Sequence, residues 1–186
     1  RIKRELDKSN IQTKFIRGLR VTDKNVIKII ENVLIDFNND IVSALKKKGS
    51  EAISVNTRNN NIINVIPEKD ELGFVGIPEK INTDIIEDIL NKNQIPVVAP
   101  LGLGEKNNSY NINGDTAAGA IAKSLNARRL LLMTNVEGVL DSDNKLITEI
   151  SSSKILKMIT DEIITGGMIP KINTCLDVVN KGVRGV

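Results

Sequence analysis

The chain alternates between two hydrophobic periods, and that alternation limits its possible folds more than any other feature. Ile-Pro-Val-Val-Ala over residues 95–99 and Leu-Leu-Leu-Met over residues 130–133 are short apolar runs. The second is continuous, the pattern of a strand buried on both faces. Around them, apolar residues recur at helical spacing: Val26, Ile29, Ile30, Val33, Leu34 and Phe37, then Ile85, Ile86, Ile89 and Leu90. Strands and helices in alternation predict an α/β fold with a largely parallel sheet. Aromatic residues make up only 2% of the 186 residues. The core must therefore be built from Ile, Leu, Val and Ala, and stacking on nucleic acid bases is not a main function.

Read in order, residues 1–9 look like the tail of a helix, and residues 13–21 form an extended or irregular segment carrying Arg17 and Arg20. Thr22 is expected to cap a long helix, with Val21 and Val26 at hydrophobic-staple positions. Asn38-Asn39 predicts a break, followed by a second helix over residues 40–48 that stops at Gly49. Its last turn holds Lys46, Lys47 and Lys48, where cations suit the helix dipole. Residues 52–55 and 62–66 predict two strands of a hairpin turned by Asn59-Asn60-Asn61. Residues 72–75 predict another short strand. Further helices are expected from Asn82 or Thr83, over 115–126, over 152–160 and over 169–181. A last strand begins at 183–186.

What the chain lacks is as informative. It has no His and one Cys, and its 26 basic against 23 acidic side chains leave a net charge of +3. Histidine-based acid–base catalysis, Ser-His-Asp triads, His or Cys-cluster metal sites and intrachain disulfides are all excluded. The cations are scattered rather than striped, as on a solvated surface, not a nucleic-acid footprint. No signal peptide or membrane span is evident. The chain begins at Arg1 and ends inside an expected strand, so it reads as a piece of a longer protein.

Three loops concentrate polar and glycine residues: 100–115, 134–138 and the turn before 166–171. In open α/β sheets ligands bind beyond the carboxyl ends of strands. Tyr110 to Ala122 runs from an Asn-rich turn into small residues, with Asp115 as the expected helix cap. The stretch could equally be a polar ligand site or a well-capped, tightly packed helix. In Gly166-Gly167-Met168-Ile169-Pro170-Lys171, Pro170 suits a first helical turn. Lys171 then opposes the dipole, which makes sense if it and the helix N-terminus face an anion. An exposed, solvated lysine fits as well. Met168, Ile172, Cys175, Leu176 and Val179 share a face from which Lys171 is expected to point away. Arg20 could grip a carboxylate with paired hydrogen bonds, and an ordinary surface arginine fits as well. Asp141 and Asp143 belong to a polar hairpin turn.

These segments together resemble the amino acid kinase family, in its N-acetylglutamate kinase branch. The matching pieces are Gly18-Leu19-Arg20-Val21-Thr22-Asp23, Leu72-Gly73-Phe74-Val75-Gly76, Pro96-Val97-Val98-Ala99-Pro100, Tyr110 through Ala118, Val136-Glu137-Gly138-Val139-Leu140-Asp141 and Gly166 through Lys171. The resemblance implies a three-layer α/β/α sandwich with a mainly parallel central sheet. Residues 1–127 would bind the acyl amino acid and 128–186 the nucleotide. The implied reaction is ATP-dependent phosphorylation of the side-chain carboxylate of N-acetyl-L-glutamate in arginine biosynthesis, with Mg2+ bound through the nucleotide. Lys171 would stabilise the transferring phosphoryl group, and Asp115 would orient the lysines of the site. Arg20 and Asn111 would hold acetylglutamate. Asn135, Val136, Glu137, Gly138, Val139, Leu140, Ile163, Ile164 and Thr165 would line the nucleotide. A homodimer or higher homo-oligomer is implied, in a cytoplasmic or plastid setting, with no nucleic acid or membrane partner.

Three departures qualify the match. The family's opening strand, with its early lysine and two glycine-rich loops, does not occur in this stretch, so these 186 residues alone are expected to be inactive. Asn135 stands where Asp is commoner. Residues 54–59 replace a more glycine-rich turn. Two other readings share the motifs: a kinase of the same fold acting on aspartate, glutamate or carbamate, and a non-catalytic amino-acid or nucleotide sensor.

Overall fold

A computed structural model describes residues 1–16, 18–166 and 168–186. Arg17 and Gly167, each part of a segment singled out above, lie outside the described residues. Helix α1 (Ile2–Lys8) leads to a two-stranded ribbon, β1 (Phe15–Ile16) and β2 (Leu19–Arg20), and then to α2 (Lys24–Lys47). The order continues through β3 (Ala52–Val55), β4 (Ile63–Pro67), β5 (Gly76–Ile81), α3 (Thr83–Asn91), β6 (Ile95–Val98), β7 (Leu101–Leu103) and β8 (Ser109–Asn111). Helices α4 (Gly114–Ser124), α5 (Ser152–Thr160) and α6 (Met168–Asn180) complete it.

The α/β architecture is as expected. Strands β3 and β6 pair in parallel along their whole length, and β4 pairs in parallel with β7. Strands β5 and β8 add antiparallel edges, giving the order β5-β4-β7-β8. Aliphatic residues cover both faces of the strands. On one side Leu6, Val26, Ile30 and Ile35 from α1 and α2 pack on Ala99 and Leu101. On the other, Ile86 and Ile89 of α3 and Ala117 of α4 pack on Val55, Ile63, Val65 and Ile112. Helix, sheet and helix therefore form three layers around aliphatic cores.

Several local expectations change, each for a physical reason. Asp23, not Thr22, caps α2, accepting hydrogen bonds from Asn25 N at 2.7 Å and Val26 N at 2.9 Å. Thr22 is buried and spends its hydroxyl on the Arg20 carbonyl. No break occurs at Asn38-Asn39, and α2 runs on as one helix. Asn38 is buried, donates Nδ2 to the Val97 carbonyl at 2.7 Å and accepts from the Ser54 hydroxyl. A side chain so engaged does not compete for its own helix's backbone. The expected hairpin of residues 52–55 and 62–66 does not form. Asn56 and Asn59 close a local turn by exchanging backbone hydrogen bonds, and β3 goes to β6 instead. The antiparallel partner of β4 is β5.

Residues 72–75 are not a strand of their own. Gly73 and Val75 make single parallel bridges to Thr22 and Asn111. Leu90 of α3 is exposed rather than inward. Asn113, not Asp115, caps α4, its side-chain oxygen accepting from Asp115 N at 3.0 Å and Thr116 N at 3.1 Å. Residues 130–133 form no strand buried on both faces. Leu130 is buried beside Ala122, Val178 and Val183, whereas Leu131 is 77% and Met133 89% exposed. Helices α4 and α6 cover one face of this run, no described element covers the other, and its link to residues 183–186 is one bond, Leu130 N to Gly185 O at 3.0 Å. A single bond does not make a ladder.

Candidate active site

Helices α4 and α6 build the centre of the site. They lie side by side and point the same way, because Asp115 pairs with Lys171 near their beginnings and Lys123 pairs with Asp177 further along. Gly119 sits between the two pairs. A Cβ there would stand 2.7 Å from Thr174 Cγ2, so only glycine lets the helices approach this closely. The small residues of α4 thus serve helix packing, while Met168 and Lys171 at the beginning of α6 line a cleft.

Lys171 Nζ donates to both carboxylate oxygens of Asp115 at 2.9 Å. Both side chains are largely buried. The lysine that opposes its own helix dipole is thereby offset by a carboxylate in the first turn of α4. Lys171 does not point away from the apolar face of α6. It lines a cleft of about 750 Å³ together with Met168, Ile172, Cys175 and Val179, and with Glu137, Gly138 and Val139 across from them. Burial pushes the Cys175 thiol up, an effect that Asp115 adds to and Lys171 opposes. The thiol therefore stays protonated at neutral pH and acts as a small packing group.

A second cavity of about 230 Å³ is lined by Val136, Gly138, Val139 and Leu140 together with Ile163, Ile164 and Thr165. It shares Gly138, Val139 and Met168 with the cleft at Lys171. Two segments more than 20 residues apart in the chain thus meet around one space of mixed lining, to which Asp141 and Asn144 also contribute. Asn135 is exposed, lines neither cavity, and accepts a long 3.5 Å hydrogen bond from the Thr134 hydroxyl.

Asn111 lies on β8 and Arg20 on the β1–β2 ribbon. Asn111 is half-buried on β8, its backbone fixed by a bond from its N to Phe74 O at 2.9 Å. Phe74 N in turn donates to Thr22 O at 2.7 Å, so residues 73–75 bridge the limbs that carry Arg20 and Asn111. Gly73 makes this bridge possible: with φ +67°, a Cβ there would lie 2.4 Å from Thr22 O. The Arg20 guanidinium stacks 4.5 Å over Phe15 and donates to the Thr13 hydroxyl. It lines a separate cavity against α1 and α2, with Val33, Leu34 and Phe37. Its own ribbon still reaches the helix beginnings, since Gly18 lies against Pro170, and Gly18 and Leu19 share a cavity of about 460 Å³ with Asn113 and Thr116. The structure thus gathers Asp115 with Lys171, and 136–140 with 163–165, but leaves Arg20 in a different cavity from Lys171.

Reasoning from the sequence missed Asn113, Met168 and Glu31. Asn113 precedes Gly-Asp-Thr, and its residue type is as good a cap as Asp115. Met168 read as core alone. Glu31 offered no signal, being one charged residue on a long helix. In the structure its carboxylate receives the Thr57 and Ser109 hydroxyls, both at 2.6 Å.

Fold and site together define a layered α/β protein with a lysine–carboxylate pair at two helix beginnings, beside a cleft that shares part of its wall with a second cavity. The model of the amino acid kinase family matches residues 1–186, and the chain belongs to that family. It is 52% identical over 186 residues to the acetylglutamate kinase of Pelagibacter ubique (strain HTCC1062), covering 100% of this chain and 65% of that protein. It is 45% identical over 190 residues to the acetylglutamate kinase of Clostridioides difficile (strain 630), covering 100% of this chain and 66% of that one. The chain thus spans about 65% of the length of the curated relatives it matches. Among solved structures it superposes on smu.665 from Streptococcus mutans UA159 with a TM-score of 0.91 and 33% identity, over 98% of this chain and 75% of that one.

Proposed function

We propose that the full-length protein transfers the γ-phosphoryl group of ATP to the side-chain carboxylate of N-acetyl-L-glutamate, forming an acyl phosphate in arginine biosynthesis. The observation that carries this reading is the Lys171–Asp115 pair, held at 2.9 Å where the beginnings of α4 and α6 converge. A cation and two helix N-termini at one place suit a transferring phosphoryl group, whose charge spreads over its oxygens. Relatives that carry the name acetylglutamate kinase, at 52% and 45% identity, support the choice of acceptor.

In this reading a carboxylate oxygen of the substrate attacks the γ-phosphorus as the bond to the β-phosphate bridging oxygen breaks and ADP departs. The acceptor is already ionised at neutral pH, so no base is required, and Asp115 orients Lys171 instead. Catalysis rests on positioning and charge neutralisation. Arg20 and Asn111 hold the acyl amino acid within the lobe of residues 1–127. Asn135, Glu137 and the cavity of residues 136–140 and 163–165 take the nucleotide within residues 128–186. The cavity of about 230 Å³ combines the aliphatic walls of Val136, Val139, Leu140, Ile163 and Ile164, which suit a base, with the polar groups of Asp141, Asn144 and Thr165, and it shares Gly138, Val139 and Met168 with the cleft that Lys171 lines. Mg2+, brought in with the nucleotide, would supply charge neutralisation at the phosphates. Among the described residues there is no group of three or more His, Cys, Asp or Glu side chains that could hold a metal ion. A cytoplasmic homodimer or higher homo-oligomer completes the proposal.

The test is a substrate panel. The full-length protein is incubated with ATP and each of N-acetyl-L-glutamate, glutamate, aspartate and carbamate, and the acyl phosphates from the first three are trapped with hydroxylamine while ADP release is followed for all. Turnover confined to acetylglutamate is expected. Preference for another acid overturns the substrate assignment, and nucleotide binding without any turnover overturns the enzyme in favour of a sensor.

A further inference from the structure

Glu31 lies where three parts of the molecule meet. Its Oε1 accepts from Thr57 of the loop after β3 and from Ser109 of β8, each at 2.6 Å. Its Oε2 faces Arg58 Nη2 at 3.5 Å, and Arg58 also donates to Asn32 at 2.6 Å. The Glu31 side chain is only 17% exposed. Burial pushes its carboxyl up, but the hydrogen bonds from Ser109 and Thr57 and the charge of Arg58 outweigh that and hold it below its ordinary value. The carboxylate is therefore ionised and fully engaged at neutral pH, in a part of the fold that the proposed chemistry does not use.

Strand β8 depends on such a tie. It has three residues and, among the described residues, pairs along its length with β7, with one further bridge from Asn111 to Val75. The turn that feeds it holds Lys106 and Asn107 at φ 56°, a left-handed conformation that side chains rarely adopt. After Asn108 comes Ser109, and Asn111 lies two residues further on, so both project from one face of the strand while Tyr110 is buried on the other. Among the described residues, the Asn111 side chain makes no hydrogen bond, so its aim is set by where the strand lies. The Ser109–Glu31 bond fixes the strand to α2, the helix that starts four residues after Arg20.

We infer that Glu31 is a positioning residue: through Ser109 it locks β8 onto α2 and so sets the placement of Asn111 relative to the Arg20 limb. The inference rests on the assignment of Asn111 to the acyl amino acid. It separates Ser109 from Thr57, although both hydroxyls bind the same oxygen, because only Ser109 is on the strand that carries Asn111.

The experiment compares S109A, T57V, E31A, E31Q and N111A in the full-length protein. For each, kcat and the KM values for acetylglutamate and ATP are measured beside the melting temperature. S109A and E31A are expected to raise the KM for acetylglutamate roughly three- to tenfold, the worth of one buried hydrogen bond, with kcat and the KM for ATP unchanged. T57V should leave the KM for acetylglutamate unchanged even where it lowers the melting temperature. E31Q keeps an acceptor for both hydroxyls and should restore most of the affinity lost in E31A. Equal KM shifts in S109A and T57V, or none in either, would make Glu31 merely structural and overturn the inference; S109A decides this even if E31A fails to fold. A raised KM in N111A with an unchanged KM in S109A overturns the inference alone. An unchanged KM in N111A overturns the assignment of Asn111 and the inference with it.

Discussion

Asp115 shows how much one side chain can change its meaning between sequence and structure. It reads as a helix cap, but Asn113 takes the cap and frees the Asp115 carboxylate for Lys171. Removing that carboxylate's charge should leave the helix intact and the lysine unaimed. D115N is therefore expected to lower kcat by about 10- to 100-fold with a melting temperature close to the parent's, measured by steady-state kinetics beside thermal unfolding. A kcat near the parent's would assign the pair to packing alone. Gly73 carries the opposite prediction. Any Cβ would meet Thr22 O at 2.4 Å, at a positive φ. G73A should cost about 2 kcal/mol or more of stability by urea unfolding, and an unchanged midpoint would mean that the bridge between the Arg20 and Asn111 limbs relaxes freely.

The elements were legible wherever a local rule decided them. Helix α5 covers the expected residues 152–160, and α3 starts where Asn82 and Thr83 suggest. Expectations failed where a long-range partner decided. Asn38 reads as a breaker because nothing local reveals Val97 and Ser54, which sit 59 and 16 residues away. The hairpin expected around residues 59–61 was outcompeted by the parallel pairing of β3 with β6. The run at 130–133 has the composition of a fully buried strand, but composition does not say which faces are covered. Of the candidate site, the motifs gave the residues, and the structure gave the convergence of 136–140 with 163–165 and of Asp115 with Lys171. Arg20 pointed to a carboxylate by type alone, and its placement against α1 and α2 depends on a ribbon that no periodicity describes. At this scale the close contact of α4 with α6 is open to test. G119V should destabilise the protein by about 1–3 kcal/mol through overpacking against Thr174, read by urea unfolding. A change within a few tenths would show that the helices can separate without cost.

Across the whole molecule, the carboxylate of Glu31 joins α2, the loop after β3 and β8, and its ionisation should be visible in the acid stability of the fold. Its folded-state pKa lies below the ordinary 4.5. The stabilisation it gives is thus fully present above the unfolded value and is lost as pH falls through the folded one. Melting temperatures of parent and E31Q, followed from pH 7 toward pH 3, should differ most at neutral pH and converge as the pH drops below about 4.5. A difference that does not narrow in that window would show that the charge of Glu31 contributes nothing to stability.

In the proposed reaction Lys171, held against Asp115, neutralises the transferring phosphoryl group. The direct measurement is the turnover of acetylglutamate by full-length parent and Lys171→Ala, with the affinity of each for ATP determined alongside. The account predicts a loss of kcat on the order of 100- to 1,000-fold with nucleotide affinity changed far less. A variant that keeps the parent's kcat, or one that loses ATP affinity and rate in equal measure, would contradict it.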